Sequence, residues 1–227
     1  MTTLTLPHRT RIKICGLTRL QDVSVAIDAG ADALGFVFYP PSARYVSAIE
    51  AAQLMQAMRP LVGSVGLFVN ASVDEVMDVL AVAPVSLLQL HGDETPAHCS
   101  RIAAAAQRPY LRAVRVGPDT TSQDLLEYAQ RYRATGAWFA GLLLDTLVDG
   151  YGGGGKVFDW SLIPEEIAHQ VVLSGGLNAH NATDAVARVR PFAVDVSTGV
   201  ELAKGIKDAA AMHQFVAAVR HADALPR

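Results

Sequence analysis

The sequence predicts a single-domain α/β protein folded as a (β/α)8, or TIM, barrel. Apolar segments rich in Val, Leu and Phe alternate eight times with Ala-rich segments of helical period. Successive apolar segments begin 22 to 32 residues apart, about 26 on average, which suits one strand and one crossover helix per repeat. Eight such units without a change of pattern favour a closed barrel over a doubly wound sheet.

Several predicted strands are apolar on both faces, as expected where helices cover the sheet and side chains fill its interior. The eight predicted strands are Arg11–Cys15, Ala33–Phe38, Val62–Val69, Val85–Leu90, Tyr110–Val114, Trp138–Asp145, Gln170–Ser174 and Phe192–Ser197. No Ser/Pro-rich linker divides the chain, so residues 1–227 are expected to form one domain. The glycine-rich stretch Gly150 to Gly155 is predicted to be a mobile loop after the sixth strand.

Composition excludes several classes of protein. The 227 residues are 51% hydrophobic and 18% charged, and 19 basic against 22 acidic side chains leave a net charge of -3, so the chain is globular rather than disordered. Without a basic tract, no general attraction to nucleic acid or anionic lipid is expected. The longest apolar run has nine residues, against the ~20 of a membrane-spanning helix.

Targeting and cysteine usage are typical of an intracellular protein. The first ten residues lack the apolar core of a secretory signal, so the expected location is cytoplasmic. The two cysteines, Cys15 and Cys99, have no zinc-like spacing, so no metal site is expected and both are predicted to be free thiols.

Candidate functional residues follow from the predicted fold, because a barrel of this kind places its site at the carboxyl ends of the strands. Polar residues stand there after seven of the eight strands. They are Cys15, Arg44, Asn70, His91, Asp145, Ser174 with Gly175 and Gly176, and Asp195 with Ser197. Among them, His91 and Asp195 are expected to contact substrate, although His91 could equally be a structural hydrogen-bonding residue.

Strand alternation orients two of these candidates. Cys15 shares a face with Lys13, and Asp145 lies on the face opposite Leu142 and Leu144, so both are expected to point toward the barrel axis. Cys15 could instead be a small apolar core residue. Asp145 could be a turn residue, but an unpaired buried carboxylate is costly, which favours a partner or a function.

The glycines after the last two strands suggest a site for phosphate. Free backbone N–H groups at a helix N-terminus bind phosphate, and barrels commonly use the loops after strands seven and eight. Each loop alone could be only a turn. The residues predicted to bind phosphate are Gly175, Gly176, Ser197 and Gly199, with Asn178 as a candidate helix cap. Arg44 could be a surface cation, but its guanidinium would also fit a ligand carboxylate.

The chain resembles the phosphoribosylanthranilate isomerase family through eight motifs in matching order over about residues 11 to 208. They are RIKICGLTR, GFVFYPPSARYVS, GLFVN, LLQLHGDE, LLLDT, GGGGKVFDW, VLSGGLNAHN and PFAVDVSTGVE. The resemblance implies a (β/α)8 barrel in tryptophan biosynthesis that takes a small phosphorylated substrate and needs no cofactor. Its reaction would be the Amadori rearrangement of N-(5-phosphoribosyl)anthranilate, and other enzymes of the pathway would be candidate partners.

The resemblance also implies roles. Cys15 matches the general base of the family, Asp145 its general acid, and Arg44 the arginine that meets the anthranilate carboxylate. The glycines and serine of the last two loops match its phosphate site. One departure occurs around Gly154, where GGGG replaces the usual GGTG or GGSG and removes a hydroxyl.

These roles set two requirements on protonation. Cys15 would act as a thiolate, so its pKa, ordinarily about 8.5, should be lowered, with Lys13 as a contributor. Asp145 must hold a proton near neutral pH, which burial could favour.

Three other functions are consistent with the residues. They are the related indole-glycerol-phosphate synthase, whose catalytic lysines are not evident, a thiol hydrolase or acyl transferase using Cys15 with His91, and a non-catalytic protein that binds a phosphorylated metabolite.

Overall fold

The computed structural model describes residues 9–147 and 157–225 and contains a closed barrel of eight parallel strands in sequential order. The strands are β1 (Arg11–Cys15), β2 (Ala33–Val37), β3 (Gly63–Phe68), β4 (Leu87–Leu90), β5 (Tyr110–Val116), β6 (Phe139–Thr146), β7 (Val172–Leu173) and β8 (Ala193–Val196). Pairing of β1 with β8 closes the ring. The predicted fold is therefore confirmed.

Helices follow the strands on the outside of the barrel. They are α1 (Leu20–Ala29), α2 (Ala48–Met55), α3 (Val73–Val82), α4 (Pro96–Ala106), α5 (Ser122–Arg133), α6 (Glu165–Ala168), α7 (Ala182–Val189) and α8 (Ala209–Ala224). Three of them begin with a capping box, in which Ser47, Ser72 or Thr121 exchanges hydrogen bonds with the acidic residue three positions later. These capping boxes determine where the loop after each of the three preceding strands ends and the helix begins.

All eight predicted strands are present, with differences at their ends. The seventh is reduced to Val172–Leu173, the only residues of that segment paired with both neighbouring strands. A further hairpin that the sequence pattern did not predict follows β8, formed by β9 (Glu201–Ala203) and β10 (Ile206–Lys207). This hairpin matters for the site, because it carries two buried charges.

The core has two layers, as strand alternation requires. Ile12, Ile14, Leu142 and Leu144 belong to the large apolar cluster shared with the helices, as predicted. A smaller cluster fills the barrel interior and consists of Leu111, Ala113, Leu143, Val172 and Ala193. Above this apolar plug, toward the carboxyl ends, the interior side chains become polar, so the plug forms the floor of the site.

The predicted loop at Gly150 to Gly155, including the GGGG departure at Gly154, lies outside the described residues. Within the described part of the chain, no helix combines the length and the apolar character needed to cross a membrane.

Candidate active site

An open cavity of about 690 Å³, counting its mouth, lies at the carboxyl ends of the strands. This size is within the range of small-molecule sites. Ten of the residues that the sequence proposed for the site line it: Cys15, Arg44, His91, Asp145, Ser174, Gly175, Gly176, Asp195, Ser197 and Gly199. The barrel thus brings together residues from six of the eight strands or the loops that follow them.

Cys15 is the last residue of β1 and is almost completely buried, with 4% of its surface exposed. It pairs with Gly35 of the neighbouring strand β2. A Cβ atom at Gly35 would stand 2.6 Å from the Cys15 sulfur, closer than side chains pack, so the glycine leaves the space that the thiol occupies. The sulfur is therefore held between two strands at the cavity wall.

The expected lowering of the pKa of Cys15 is wrong. Burial raises the pKa of this thiol, and Lys13 offsets that effect only in part. Lys13 is itself paired with Asp195, at 2.7 Å between Nζ and Oδ1 with both side chains buried, and Asp195 raises the pKa of Cys15 further. The carboxylate neutralises the cation that the sequence suggested as the activating group.

Asp195 has two protein partners at the base of the cavity. Besides the Lys13 ion pair, its Oδ2 accepts a hydrogen bond from the Ser174 hydroxyl at 3.1 Å. Burial alone would lower the pKa of Lys13, but the attraction and hydrogen bonds of Asp195 and Cys15 together outweigh burial and raise it, so the ammonium stays charged. Lys13 was predicted only as a neighbour of Cys15, and its ion pair with β8 spans 182 positions of sequence.

The pH dependence of thiol alkylation tests this reading. In a Cys99→Ala variant, which leaves Cys15 as the one thiol of the chain, we expect iodoacetamide to react slowly at pH 7. Because only the thiolate reacts, the rate should keep rising as the pH passes about 8.5, the ordinary pKa of a cysteine. Mass spectrometry of the labelled protein gives the rate, and a plateau below pH 8 would show that the pKa is lowered after all.

Asp145 lies near the end of β6 with its side chain 8% exposed. Its Oδ1 accepts a hydrogen bond from the backbone N–H of Thr146 at 2.9 Å, and its Oδ2 lies 3.2 Å from Nε2 of His91. This approach is close enough for electrostatic attraction but is not aligned as a hydrogen bond. Asp145 therefore has a partner, as its burial requires. That its carboxyl group holds a proton near neutral pH stays a prediction.

His91 follows β4 and is oriented by Gln89, two residues earlier on the same face. The Gln89 Nε2 and the His91 Nδ1 are 2.8 Å apart. When the amide donates to Nδ1, a neutral ring carries its proton on Nε2, the atom that faces Asp145. The structure thus places His91 beside the predicted acid, and a direct contact with substrate stays a prediction. The sequence analysis missed Gln89, whose signal was its position two residues before His91.

A buried network holds the loop that carries His91. Glu94 accepts hydrogen bonds from the backbone N–H groups of Asn70 and Gly92 and pairs with Arg112 at 2.7 Å. Arg112 also donates to the carbonyls of Leu90 and Gly92. Asn70, one of the sequence candidates, supports this loop through its Oδ1 and is not among the residues lining the cavity. Glu94, the last residue of the HGDE motif, is therefore structural.

The two loops predicted to bind phosphate lie against each other. A Cβ atom at Gly199 would overlap the carbonyl oxygen of Leu177, so the loop after β8 packs on the loop after β7 through bare backbone. The expectation that Asn178 caps the next helix is wrong. α7 begins later, after Asn181, and the Asn178 side chain accepts from His180 N–H within the turn that precedes the helix.

Arg44 is not a surface cation, since its side chain is only 13% exposed. It makes a two-point contact with Glu201, through Nε to Oε1 at 2.8 Å and through Nη2 to Oε2 at 2.7 Å. Nη2 also donates to the hydroxyl of Thr198 at 2.9 Å. One edge of the guanidinium is therefore taken by the protein's own carboxylate.

Glu201 also binds Lys207 at 2.9 Å, and both side chains are almost fully buried. The same ammonium donates to the backbone oxygen and the hydroxyl of Ser197, in the predicted phosphate loop. The sequence analysis missed Glu201 and Lys207. Glu201 ends the DVSTGVE motif, so a signal existed, but the strand pattern did not place it on a hairpin facing Arg44.

The fold and the site together define a (β/α)8-barrel enzyme in which a thiol and a carboxyl group face one cavity. Comparison with known proteins narrows this class. A profile of the family described as N-(5'phosphoribosyl)anthranilate (PRA) isomerase matches residues 12–218. The chain belongs to this family.

Individual relatives agree with the family match. The chain is 63% identical over 220 residues to N-(5'-phosphoribosyl)anthranilate isomerase of Herminiimonas arsenicoxydans, with 97% of each chain covered. It is similar in structure to phosphoribosyl anthranilate isomerase of Thermotoga maritima, with a TM-score of 0.82, 41% identity, and 93% and 99% of the two chains covered. It is also similar to such an isomerase in complex with reduced 1-(o-carboxyphenylamino)-1-deoxyribulose 5-phosphate, with a TM-score of 0.79, 39% identity and the same coverage.

Proposed function

We propose that this chain isomerises N-(5'-phosphoribosyl)anthranilate to 1-(o-carboxyphenylamino)-1-deoxyribulose 5-phosphate in tryptophan biosynthesis. The observation that carries the proposal is that Cys15 and Asp145 line one cavity, together with Arg44 and the two glycine loops. Family membership supports the reaction. The side chains supply the acid, the base and the two anchors that this substrate needs.

The reaction reaches its enolamine intermediate by two proton transfers on one sugar. A proton delivered to the ring oxygen breaks the C1'–O4' bond and leaves a protonated imine, and this is the proposed role of Asp145. Removal of the C2' proton then gives an enolamine, and this is the proposed role of Cys15. Return of a proton to C1' and loss of the hydroxyl proton at C2' complete the aminoketose. No atom is gained or lost overall, so general acid and base catalysis suffices.

His91 supports the acid in this scheme. When Asp145 gives up its proton, a carboxylate forms in a buried place, which is costly without a partner. The His91 Nε2, 3.2 Å from Oδ2, is positioned to stabilise that negative charge. His91 is thereby proposed to stabilise the Asp145 carboxylate that forms when the acid gives up its proton.

The raised pKa of Cys15 has two opposite effects on a base. It makes the thiolate rarer at neutral pH, and it makes each thiolate a stronger proton acceptor. Lys13 and Lys207 act in the other direction and moderate the cost of forming the anion. We propose that this balance allows a buried cysteine to remove a proton from carbon.

Substrate binding divides between the ends of the cavity. The phosphate would lie on the backbone of Gly175, Gly176, Ser197 and Gly199, where adjoining loops expose N–H groups. The anthranilate carboxylate would meet Arg44. The related isomerase in complex with a reduced phosphorylated compound supports a ligand of this class.

A fluorescence assay tests the proposed function against its rivals. Purified protein should consume phosphoribosylanthranilate, with loss of the fluorescence of that substrate. Binding without turnover would mean a metabolite-binding barrel, and a trapped acyl group on Cys15 would mean a hydrolase or transferase. Direct formation of an indole ring would mean the synthase reaction.

Removal of the Arg44 side chain should weaken substrate binding. For Arg44→Ala we expect KM to rise about 10-fold to 100-fold, because a hydrogen bond between charged groups contributes about 1.5–3 kcal/mol. The value of kcat should stay within about threefold, since the carboxylate contact exists before and during the reaction. Arg188→Ala, on the exposed face of α7, is the matched control. An unchanged KM for Arg44→Ala would mean that this arginine serves only Glu201.

Three broader features belong to the same proposal. Residues 1–227 would act as one catalytic domain. The protein would act in the cytoplasm, since its charged substrate does not cross membranes. Enzymes that precede and follow it in tryptophan biosynthesis would be its partners, and copurification from cell extract tests this.

A further inference from the structure

We propose that Glu201 is a positioning residue that fixes Arg44 for the carboxylate of the ligand, and that Lys207 does the same for the phosphate loop. The inference rests on the proposed function and extends it to two side chains outside the sequence-predicted site. Its basis is one buried carboxylate that bridges two cations, each of which belongs to a different end of the cavity.

The first arm of this bridge holds the arginine. Glu201 takes Nε and Nη2 of Arg44 in a two-point contact, and Thr198 takes the second proton of Nη2. Within the described parts of the chain, Nη1 has no hydrogen-bond acceptor, and Arg44 lines the cavity. The guanidinium plane is therefore fixed by protein contacts on one edge, which leaves Nη1 for a ligand.

The path of the arginine requires this arrangement. A Cβ atom at Gly16, directly after Cys15, would overlap the Arg44 side chain, so the arginine crosses the backbone beside the predicted base. A long side chain loses much rotamer freedom when it is held in one such path. The contact with Glu201 orders the Arg44 side chain before the ligand binds, so less side-chain entropy is lost on binding.

The second arm holds the phosphate loop. Lys207, at the end of the hairpin, donates to Glu201 and to both oxygens of Ser197. Two cations against one carboxylate give the cluster one net positive charge. Arg44 and Lys207 together outweigh burial and lower the pKa of Glu201, while burial lowers the pKa of Lys207 and Glu201 opposes that effect. The net positive charge lies beside a cavity proposed to take a phosphate and a carboxylate, so it favours the ligand as well as the fold.

The experiment compares two ligands that differ in one group. They are reduced 1-(o-carboxyphenylamino)-1-deoxyribulose 5-phosphate and the same compound without its carboxyl group. The ratio of their dissociation constants measures how much the carboxylate contributes to binding. In the unaltered protein we expect a ratio of about tenfold or more, and in Arg44→Ala a ratio near one.

Glu201→Gln should reduce the ratio at least threefold, because the amide cannot accept from both cations. The double variant with Arg44→Ala should show the same ratio near one as Arg44→Ala alone, since Glu201 acts on the carboxylate through Arg44. If binding of both ligands weakens by the same factor, the ratio stays unchanged. That result would overturn the inference, because a merely structural role of Glu201 predicts it.

Two further variants keep the test decisive if Glu201→Gln does not fold. Glu201→Asp keeps the charge but is one methylene shorter, so the ratio should still fall about threefold, and an unchanged ratio would contradict the inference. Lys207→Gln should weaken both ligands about equally and keep the ratio, because its arm serves the phosphate. Loss of the ratio in Lys207→Gln would contradict the division between the two arms.

Turnover separates this inference from the proposed function. If the unaltered protein binds both ligands but does not consume phosphoribosylanthranilate, the proposed function fails while the ratios still test Glu201. If turnover is normal and the ratios do not respond to Glu201, the inference fails alone.

Discussion

Asp145→Asn should lower kcat about 10³-fold while binding of the reduced product analogue changes less than about fivefold. The amide has nearly the shape of the acid and can still accept the Thr146 N–H at the Oδ1 position. It cannot deliver a proton to the ring oxygen, and general acid catalysis contributes roughly 10²–10⁴-fold. The measurement is steady-state turnover of phosphoribosylanthranilate together with titration of the analogue.

The control for this variant is Asp184→Asn on the exposed surface of α7, which should turn over substrate normally. Normal turnover by Asp145→Asn would remove Asp145 from the mechanism. A large loss of analogue binding in the same variant would instead assign the carboxyl group to substrate binding.

Cys15→Ala should lower kcat by about 10³-fold or more and leave the fold intact. The alanine fills most of the space beside Gly35 and has no group that accepts a proton. Only a small cavity is left, so the free energy of unfolding should fall by about 1 kcal/mol. Turnover and thermal unfolding are measured on the same preparation.

The matched control for Cys15→Ala is Cys99→Ala. Cys99 is equally buried, but it lies in α4, and burial raises the pKa of its thiol to about 12. We expect this variant to keep full activity. Full activity in Cys15→Ala would contradict its role as the base.

The fold could be predicted from sequence because its signals are local and repeated. Each strand is an apolar run bounded by turn residues, and each repeat carries the same pattern, so an error at one strand end leaves the count unchanged. The short β7 and the Asn178 turn show the limit of this method. Both depend on pairing and turn geometry that apolar periodicity does not describe.

The residues that line the site could be predicted from the sequence, but the effects of their charges on each other could not. Alternation along β1 and β6 correctly placed Cys15 and Asp145 at the cavity. The direction of the Cys15 pKa shift was wrong because burial raises the pKa more than Lys13 lowers it, and Asp195, 182 positions after Lys13, raises it further.

The same physical reason explains the missed residues. Arg44 and Glu201 are 157 positions apart and meet only because the barrel brings the loops after β2 and β8 together. Motif reading assigns each charged residue to its own loop, whereas buried charges find partners across loops. The carboxylate that orients Arg44 therefore becomes visible only in three dimensions.

The central claim is that one sulfur and one carboxyl group act on the same sugar phosphate. The most direct test is a crystal structure of this protein with reduced 1-(o-carboxyphenylamino)-1-deoxyribulose 5-phosphate in the cavity. We expect the Cys15 sulfur next to C2' and an Asp145 oxygen within hydrogen-bonding distance of the oxygen on C4'. A ligand bound with either group turned away from these atoms would contradict the account.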